Sequence, residues 1–231
     1  MLGLLPAAAR AATLQISPVT IEFAPGESAT GLTLRNPGDT PLYGQVRVFQ
    51  WDQANGDDVL TPASGVIASP PLIEVAPHGD QLVRLVRTAS APPAAEETYR
   101  LLIDELPPPG AASADGVTIR LRYSVPVFVE SANAAARPVL AWRLVHAPTG
   151  WALRADNAGA RRAQIAAVRL VDASGHAYEI TKGLLGYALA GKSRQWRIDL
   201  PPGTTPQARM SVHATVNTLP MQAPVTVDEG S

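Results

Sequence analysis

The longest alternating segment of this 231-residue chain reads Val117-Thr-Ile-Arg-Leu-Arg-Tyr-Ser-Val-Pro-Val-Phe-Val129. Every second side chain in it is apolar, which is the period of a β-strand. At ~3.3 Å per residue the segment would form a strand of about 43 Å, whereas ordinary strands have ~5–6 residues. Pro126 cannot donate a ladder hydrogen bond and marks an edge, a bulge or a switch between sheets. The segment therefore indicates either a long core strand or an edge strand offered to a partner.

Shorter apolar segments precede this one and are separated by turn signals such as Asn36-Pro-Gly-Asp39. The alternation in the first of them changes phase at Pro18, which predicts an edge strand or one that bends between sheets. With the long segment they make seven predicted strands, which is typical of an antiparallel sandwich. The six shorter predicted strands are Leu14–Phe23, Thr30–Arg35, Leu42–Trp51, Leu72–Val75, Gln81–Arg87 and Tyr99–Leu106.

The second half of the chain follows a segment, residues 130–138, that has no periodic apolar face and ends in proline. We interpret it as a linker between two domains. The predicted fold class is all-β, with two immunoglobulin-like β-sandwich domains at residues 14–132 and 139–231. Residues 1–13 resemble the remnant of a signal peptide, with the Ala-x-Ala pattern at Ala9-Arg-Ala11. The strands predicted after the linker are Val139–Val145, Trp151–Ala155, Gln164–Val171, Tyr178–Thr181, Gln195–Leu200 and Met210–Val216.

Composition and motifs argue against several classes of function. The 19 basic and 20 acidic residues give a net charge of -1, which offers no electrostatic case for nucleic acid binding. The chain has no cysteine, and no stretch reaches the ~20 apolar residues that a membrane span needs. The four histidines are isolated in sequence, and no nucleophile elbow or phosphate-binding loop occurs. We therefore predict no catalytic residues, no metal site and no cofactor.

Seven short motifs occur in order between residues 14 and 130. They are Ile16-Ser-Pro-Val-Thr-Ile-Glu-Phe-Ala-Pro-Gly26, Leu34-Arg-Asn-Pro-Gly-Asp39, Ala68-Ser-Pro-Pro71, Val83-Arg-Leu85, Glu97-Thr-Tyr-Arg100, Asp104-Glu-Leu-Pro-Pro108 and Arg122-Tyr-Ser-Val-Pro-Val-Phe128. In this order and spacing they resemble the periplasmic chaperones of the chaperone–usher pathway. The resemblance implies two immunoglobulin-like domains in a boomerang arrangement. It also implies a periplasmic chaperone, not an enzyme, that stabilises pilus (fimbrial) subunits by donor-strand complementation and delivers them to an outer-membrane usher.

The resemblance also implies a site. The last strand of the first domain is the donor in that family, so the subunit-binding residues by position are Val117, Ile119, Leu121 and Tyr123. In the best-studied branch, one cation on the first strand and one on the last anchor the carboxylate of the subunit, but this chain has no basic residue at those positions. Its pattern looks like the archaic branch. The candidates for a different carboxylate anchor are Arg84, Arg87, Arg100, Arg120 and Arg122.

Two other classes of function stay open at this stage. A two-domain β-sandwich adhesin or structural pilus protein would have the same strand content. An extracellular sandwich hydrolase or carbohydrate-binding module would need paired carboxylates or an exposed aromatic platform. The four tryptophans instead fall in or beside predicted strands, where core packing is expected. A free donor strand would also favour self-association, because it is an exposed edge.

Overall fold

The computed structural model describes residues 14–110, 119–147, 150–201, 206 and 209–228. Within them the protein is all-β, with 17 strands and no helix, and hence no helix that could cross a membrane. The first ten strands are β1 (Gln15–Ser17), β2 (Ile21–Phe23), β3 (Ala29–Arg35), β4 (Leu42–Ala54), β5 (Asp57–Pro62), β6 (Val66–Ser69), β7 (Leu72–Val75), β8 (Asp80–Arg87), β9 (Glu97–Leu106) and β10 (Arg122–Val129). The others are β11 (Leu140–Ala147), β12 (Gly150–Asn157), β13 (Ala163–Val171), β14 (Ala177–Ala188), β15 (Ser193–Arg197), β16 (Met210–Val216) and β17 (Leu219–Asp228).

The chain forms two compact units, neither of which is one continuous stretch. The first unit contains the residues up to Gln50 together with Thr61–Pro92 and Thr98–Glu130. The second contains Trp51–Leu60, Pro93–Glu97 and the residues from Ser131 onward. The predicted signal-peptide remnant at residues 1–13 lies outside the described residues.

Two sheets contain the strands of the first unit. One has the strand order β1-β3-β8-β6, and the other has the order β2-β10-β9-β4-β5, with β7 also paired to β4. The strands alternate as the sequence predicts, because side chains at every second position face the other sheet and exclude water. The core between the sheets includes Leu32, Leu34, Val83, Leu85, Leu101 and Ile103, all at most 1% exposed.

The first predicted strand divides between these sheets. β1 pairs with β3 in one sheet, and β2 pairs parallel with β10 in the other. Pro18 lies between them and has no backbone N–H to place in a ladder. Of the two alternatives predicted at Pro18, an edge strand or a bend between sheets, the structure shows the bend, which leaves β2 as the neighbour of only the last part of β10.

The long segment that ends at Val129 is shorter as a strand than we predicted. β10 begins at Arg122, residues 119–121 precede it outside any strand, and Val117 lies outside the described residues. The alternation also ends, because all five residues from Val125 to Val129 are buried. The physical cause of the late start lies on β9, which ends at Leu106 and is followed by three prolines that cannot donate hydrogen bonds.

A single sheet of the order β14-β13-β16-β17-β11-β12-β15 forms most of the second unit. Its two ends approach each other, since β14 contacts β12 and β15, and the sheet encloses a core. That core includes Trp142, Leu144, Leu153, Ile165 and Leu170. β17 is not predicted from the sequence pattern, because Pro220 and Pro224 interrupt it.

Candidate functional site

The first half of β10 is an unpaired edge among the described residues. On one side β10 pairs with β9 along the sheet, whereas on the other side β2 pairs only with Val127, Phe128 and Val129. The strand that could have covered the rest of that side, β1, belongs to the other sheet. The backbone from Arg122 to Pro126 therefore presents an open edge at which a further strand can pair.

The residues directly before this edge carry apolar side chains that are exposed to solvent. Ile119 is 79% exposed and Leu121 is 39% exposed, whereas Val125 on the same alternating row is 4% exposed. The row is thus buried at one end, where it belongs to the core of the first unit, and exposed at the other. A core strand would bury both ends, so the exposure of Ile119 and Leu121 favours the second interpretation of this segment, an edge strand offered to a partner.

Tyr123 differs from the two apolar residues before it. Its ring is partly buried against the core of the first unit. Its hydroxyl accepts a hydrogen bond from the Leu14 amide at 3.0 Å and donates one to Glu105 Oε1 at 3.1 Å. Burial raises the pKa of Tyr123 to about 12, with a contribution from the negative charge of Glu105 and against the effect of the Leu14 bond. The phenol is therefore neutral at physiological pH and is engaged within its own domain.

Glu105 ends the ladder between β9 and β10. Its amide donates to the Leu121 carbonyl at 3.0 Å, which is an ordinary ladder bond. The return bond, however, runs from the Leu121 amide to the side-chain atom Oε2 of Glu105 at 3.1 Å. The carboxylate therefore takes the place of a backbone acceptor at the last paired position.

A second carboxylate, Asp104, holds the outer face of the same strand end. Arg122 pairs with Oδ1 of Asp104, and Arg47 on β4 pairs with Oδ2 at 2.7 Å. Desolvation opposes ionisation, but the hydrogen bonds from the two guanidinium groups outweigh it and lower the pKa of Asp104. Two cations share one anion, so this cluster carries one surplus positive charge beside the open edge.

The structure does not gather the five candidate arginines into one place. Arg84 is exposed on β8, in the sheet that does not contain β10, and Arg120 is exposed before β10. Arg100 is half-buried on β9 opposite Phe49 of β4, and Arg122 is paired with Asp104.

Arg87 is the buried member of this set, at 6% exposure. It ends β8 and faces inward, as Val83 and Leu85 do. Its Nη2 donates to the Ala91 carbonyl at 3.1 Å, whereas its Nη1 is buried without a hydrogen-bond partner among the described residues. An unsatisfied buried guanidinium nitrogen is costly, and an incoming carboxylate would satisfy it.

Sequence reasoning assigned no role to Arg47, Asp104 or Glu105. The available signal was the adjacent acidic pair Asp104-Glu105 at the end of a predicted strand, immediately before Leu106 and the prolines. Two neighbouring residues of a strand point to opposite faces, so such a pair can hold both faces of the neighbouring strand. Which residues it holds depends on the register between β9 and β10.

Comparisons with known proteins address the family and the fold of the chain. The family model described as pili and flagellar-assembly chaperone, PapD N-terminal domain, matches residues 13–134. No curated protein matches the chain. Among solved structures, the CsuC–CsuE chaperone–tip adhesion subunit pre-assembly complex, from archaic chaperone–usher Csu pili of Acinetobacter baumannii, contains a similar chain. It is 26% identical with a TM-score of 0.71, and the match covers 94% of this chain and 100% of that one.

Two further structures share the fold. The Pseudomonas aeruginosa CupB2 chaperone is 17% identical with a TM-score of 0.60, and the match covers 93% of this chain and 100% of that one. A chain of the Salmonella enterica complex of SafA pilin with the SafB chaperone is 17% identical with a TM-score of 0.62, covering 96% of this chain and 98% of that one. The resemblance and the all-β immunoglobulin-like class inferred from the sequence are thus confirmed. Because the family model spans more than half of the chain, the protein belongs to the pilus-assembly chaperones of the PapD family.

Proposed function

We propose that this chaperone stabilises an unfinished pilus subunit by adding its own strand end to the sheet of the subunit. The observation that carries the proposal is the exposure of Ile119 and Leu121 next to the unpaired edge of β10. The donor segment, as we use the term, is residues 117–121. A subunit strand would take main-chain hydrogen bonds from the edge of β10, while alternate side chains of the donor segment fill apolar pockets.

Burial of apolar side chains contributes binding energy in addition to the main-chain hydrogen bonds. Moving an exposed side chain such as Ile119 into an apolar pocket contributes about 1.5–3 kcal/mol, and Leu121 contributes less because it is already partly covered. Val117, which lies outside the described residues, would add a third apolar side chain on the same alternating row. Such binding needs neither a nucleotide nor a catalytic group, which agrees with a family of chaperones rather than enzymes.

Arg87 is the anchor we propose for the carboxylate of the subunit. Among the five candidates it combines burial with an unsatisfied guanidinium nitrogen, so a carboxylate would gain a charge-assisted bond there. Arg122 already has Asp104 as its counter-ion, and Arg84 and Arg120 are solvated. The remaining candidate, Arg100, is half-buried and already has an interaction of its own.

The family also suggests where the protein works and which partners it meets. We propose that it acts in the periplasm, where it receives subunits and passes them to an outer-membrane usher. The CsuC–CsuE complex, a chaperone with a tip adhesion subunit, supports a subunit partner for this chain. A free-standing adhesin is the less favoured alternative, because an adhesin has no need of an open strand edge with exposed apolar residues beyond it.

Co-expression with the pilus subunit tests the proposal. The variant Leu121→Asp places a charge in the donor segment, so we expect the subunit no longer to accumulate in the periplasm, while the variant itself stays folded because Leu121 is not a core residue. Leu82→Asp is the matched control, since Leu82 is 57% exposed on β8 in the other sheet. It should support subunit accumulation as the wild type does. Equal accumulation with Leu121→Asp and with wild type, or without any chaperone, would contradict the proposal.

A further inference from the structure

One carboxylate uses both of its oxygen atoms on the strand end that precedes the open edge. Oε2 of Glu105 accepts the Leu121 amide at 3.1 Å, and Oε1 accepts the Tyr123 hydroxyl at 3.1 Å. Leu121 and Tyr123 lie two residues apart, on the same alternating row. Glu105 therefore clamps the row at the point where it passes from exposed to buried.

Tyr123 extends the clamp to the start of the domain. Its hydroxyl also accepts the amide of Leu14, which precedes β1 and is buried at 3% exposure. Three segments that are far apart in sequence therefore meet at one phenol and one carboxylate. Each polar atom in this chain of hydrogen bonds has a partner, so the arrangement is a satisfied network rather than a strained one.

Asp104 holds the opposite face of the same strand end through its ion pair with Arg122. Residues 121–123 are thus held on both faces of the sheet by adjacent carboxylates of β9. The residues before them, Ile119 and Arg120, lie outside any strand and are exposed. The boundary between the held and the free part of the chain therefore falls at Leu121.

We propose that Glu105 and Tyr123 form a latch that fixes the base of the donor segment, so that Leu121 and Ile119 reach the subunit while Tyr123 remains in the chaperone. This inference rests on the proposed function, and it narrows the donor residues inferred from the sequence by removing Tyr123. A strand end held in its bound direction loses less conformational freedom when the subunit binds. Glu105 and Tyr123 are positioning residues, since their polar groups are engaged within the chaperone.

Hydrogen exchange in the free protein tests whether the latch holds Leu121. In Glu105→Ala the Leu121 amide loses its acceptor, and we expect it to exchange about tenfold faster, the factor that a hydrogen bond of this kind contributes. Tyr123→Phe keeps the ring but removes the bonds to Glu105 and Leu14, and should accelerate exchange at Leu14. The matched control is Tyr43→Phe, which removes an exposed hydroxyl bond of the same type to Glu74, 3.1 Å long, on the same sheet.

Dissociation of the chaperone–subunit complex tests whether the latch positions the donor segment. Glu105→Ala should release the subunit several-fold faster than wild type, and Tyr43→Phe should release it at the wild-type rate. An unchanged exchange rate at Leu121 would overturn the latch, and faster exchange with unchanged subunit release would overturn its positioning role. If wild-type protein bound no subunit at all, the proposed function would fail, while the exchange rates would still decide whether the latch exists.

Discussion

Leu82 and Leu121 are both exposed leucines of the first unit, but they differ in the backbone pairing around them. Leu82 lies inside β8, where it pairs with Thr33 of β3, while β6 pairs with β8 only from Arg84 to Arg87. Leu121 leads directly into the open edge of β10. A single exposed leucine is ordinary on a protein surface, but one beside an unpaired edge invites association. What distinguishes Leu121 is its place directly before the open edge of β10, whereas Leu82 lies inside a regular strand.

One substitution, at Arg87, can test the proposed carboxylate anchor without destabilising the fold. Arg87→Met removes a buried cation while keeping an unbranched apolar side chain, so we expect the free energy of unfolding to stay close to the wild-type value or to rise. Subunit binding should weaken by about 1.5–3 kcal/mol, the contribution of hydrogen bonds to a charged group. Titration of the chaperone with a purified subunit measures this affinity, and Arg84→Met provides the solvated control. Wild-type affinity in Arg87→Met would exclude Arg87 as the anchor.

At the scale of elements, prolines explain both a successful prediction and two errors. The interruption at Pro18 predicts an edge strand or a switch between sheets, because a residue without an N–H cannot continue a ladder. The same argument applied to Pro107 would have shortened β10, but it requires knowing that β9 is the strand beside β10. β17 was missed because Pro220 and Pro224 break its alternation without ending the strand. Sequence patterns therefore give the faces of a strand more reliably than its partners.

The residues of the candidate site also fall into those that the sequence predicts and those that it does not. Ile119 and Leu121, the proposed donor residues, follow from alternation and from the family resemblance. The latch does not, since Glu105 and Tyr123 are 18 residues apart and Leu14 is 109 residues from Tyr123. Such contacts depend on strand register and on the path of the first strand, which no local pattern in the sequence contains.

The proline that follows β9 makes a specific prediction for this hairpin. The end of β9 lies beside the start of β10, so the two strands are antiparallel, and Glu105 faces Leu121. Continuing that register by two residues would place position 107 opposite Ile119, where Pro107 has no N–H to donate. Pro107→Val restores this donor and should extend the ladder, so we expect several-fold slower hydrogen exchange around Ile119.

Pro108→Val is the control for this change, because the N–H of a neighbouring residue points to the other side of the strand. It should leave the exchange around Ile119 as in the wild type. Equal slowing in both variants would show that a general loss of proline stiffness, rather than the missing ladder donor, sets where β10 begins.

At the scale of the whole molecule, the second unit is built from chain segments that are separated in sequence. Trp51–Leu60 and Pro93–Glu97 group with the residues from Ser131 onward, although they lie within the sequence of the first half. Gln53 is buried in this unit, donates to the Tyr187 carbonyl at 2.8 Å and accepts the Leu189 amide at 2.9 Å. A fragment that began at Ser131 would therefore lack polar partners that its own buried backbone groups use.

The ion pair between Glu96 and Arg162 allows a test of whether residues 93–97 stabilise the second unit. Their side chains are 3% and 8% exposed, and Glu96 accepts hydrogen bonds from both Nη1 and the backbone amide of Arg162, at 2.5 Å and 2.9 Å. Removing one partner of a buried ion pair costs about 3–5 kcal/mol, so Glu96→Ala should destabilise the second unit by this amount.

All four tryptophans (Trp51, Trp142, Trp151 and Trp196) belong to that unit, so fluorescence during urea unfolding reports its stability. The control Glu179→Ala removes an exposed pair with Lys182 and should cost at most about 1 kcal/mol. If Glu96→Ala unfolds at the same urea concentration as this control, residues 93–97 do not contribute to the stability of the second unit.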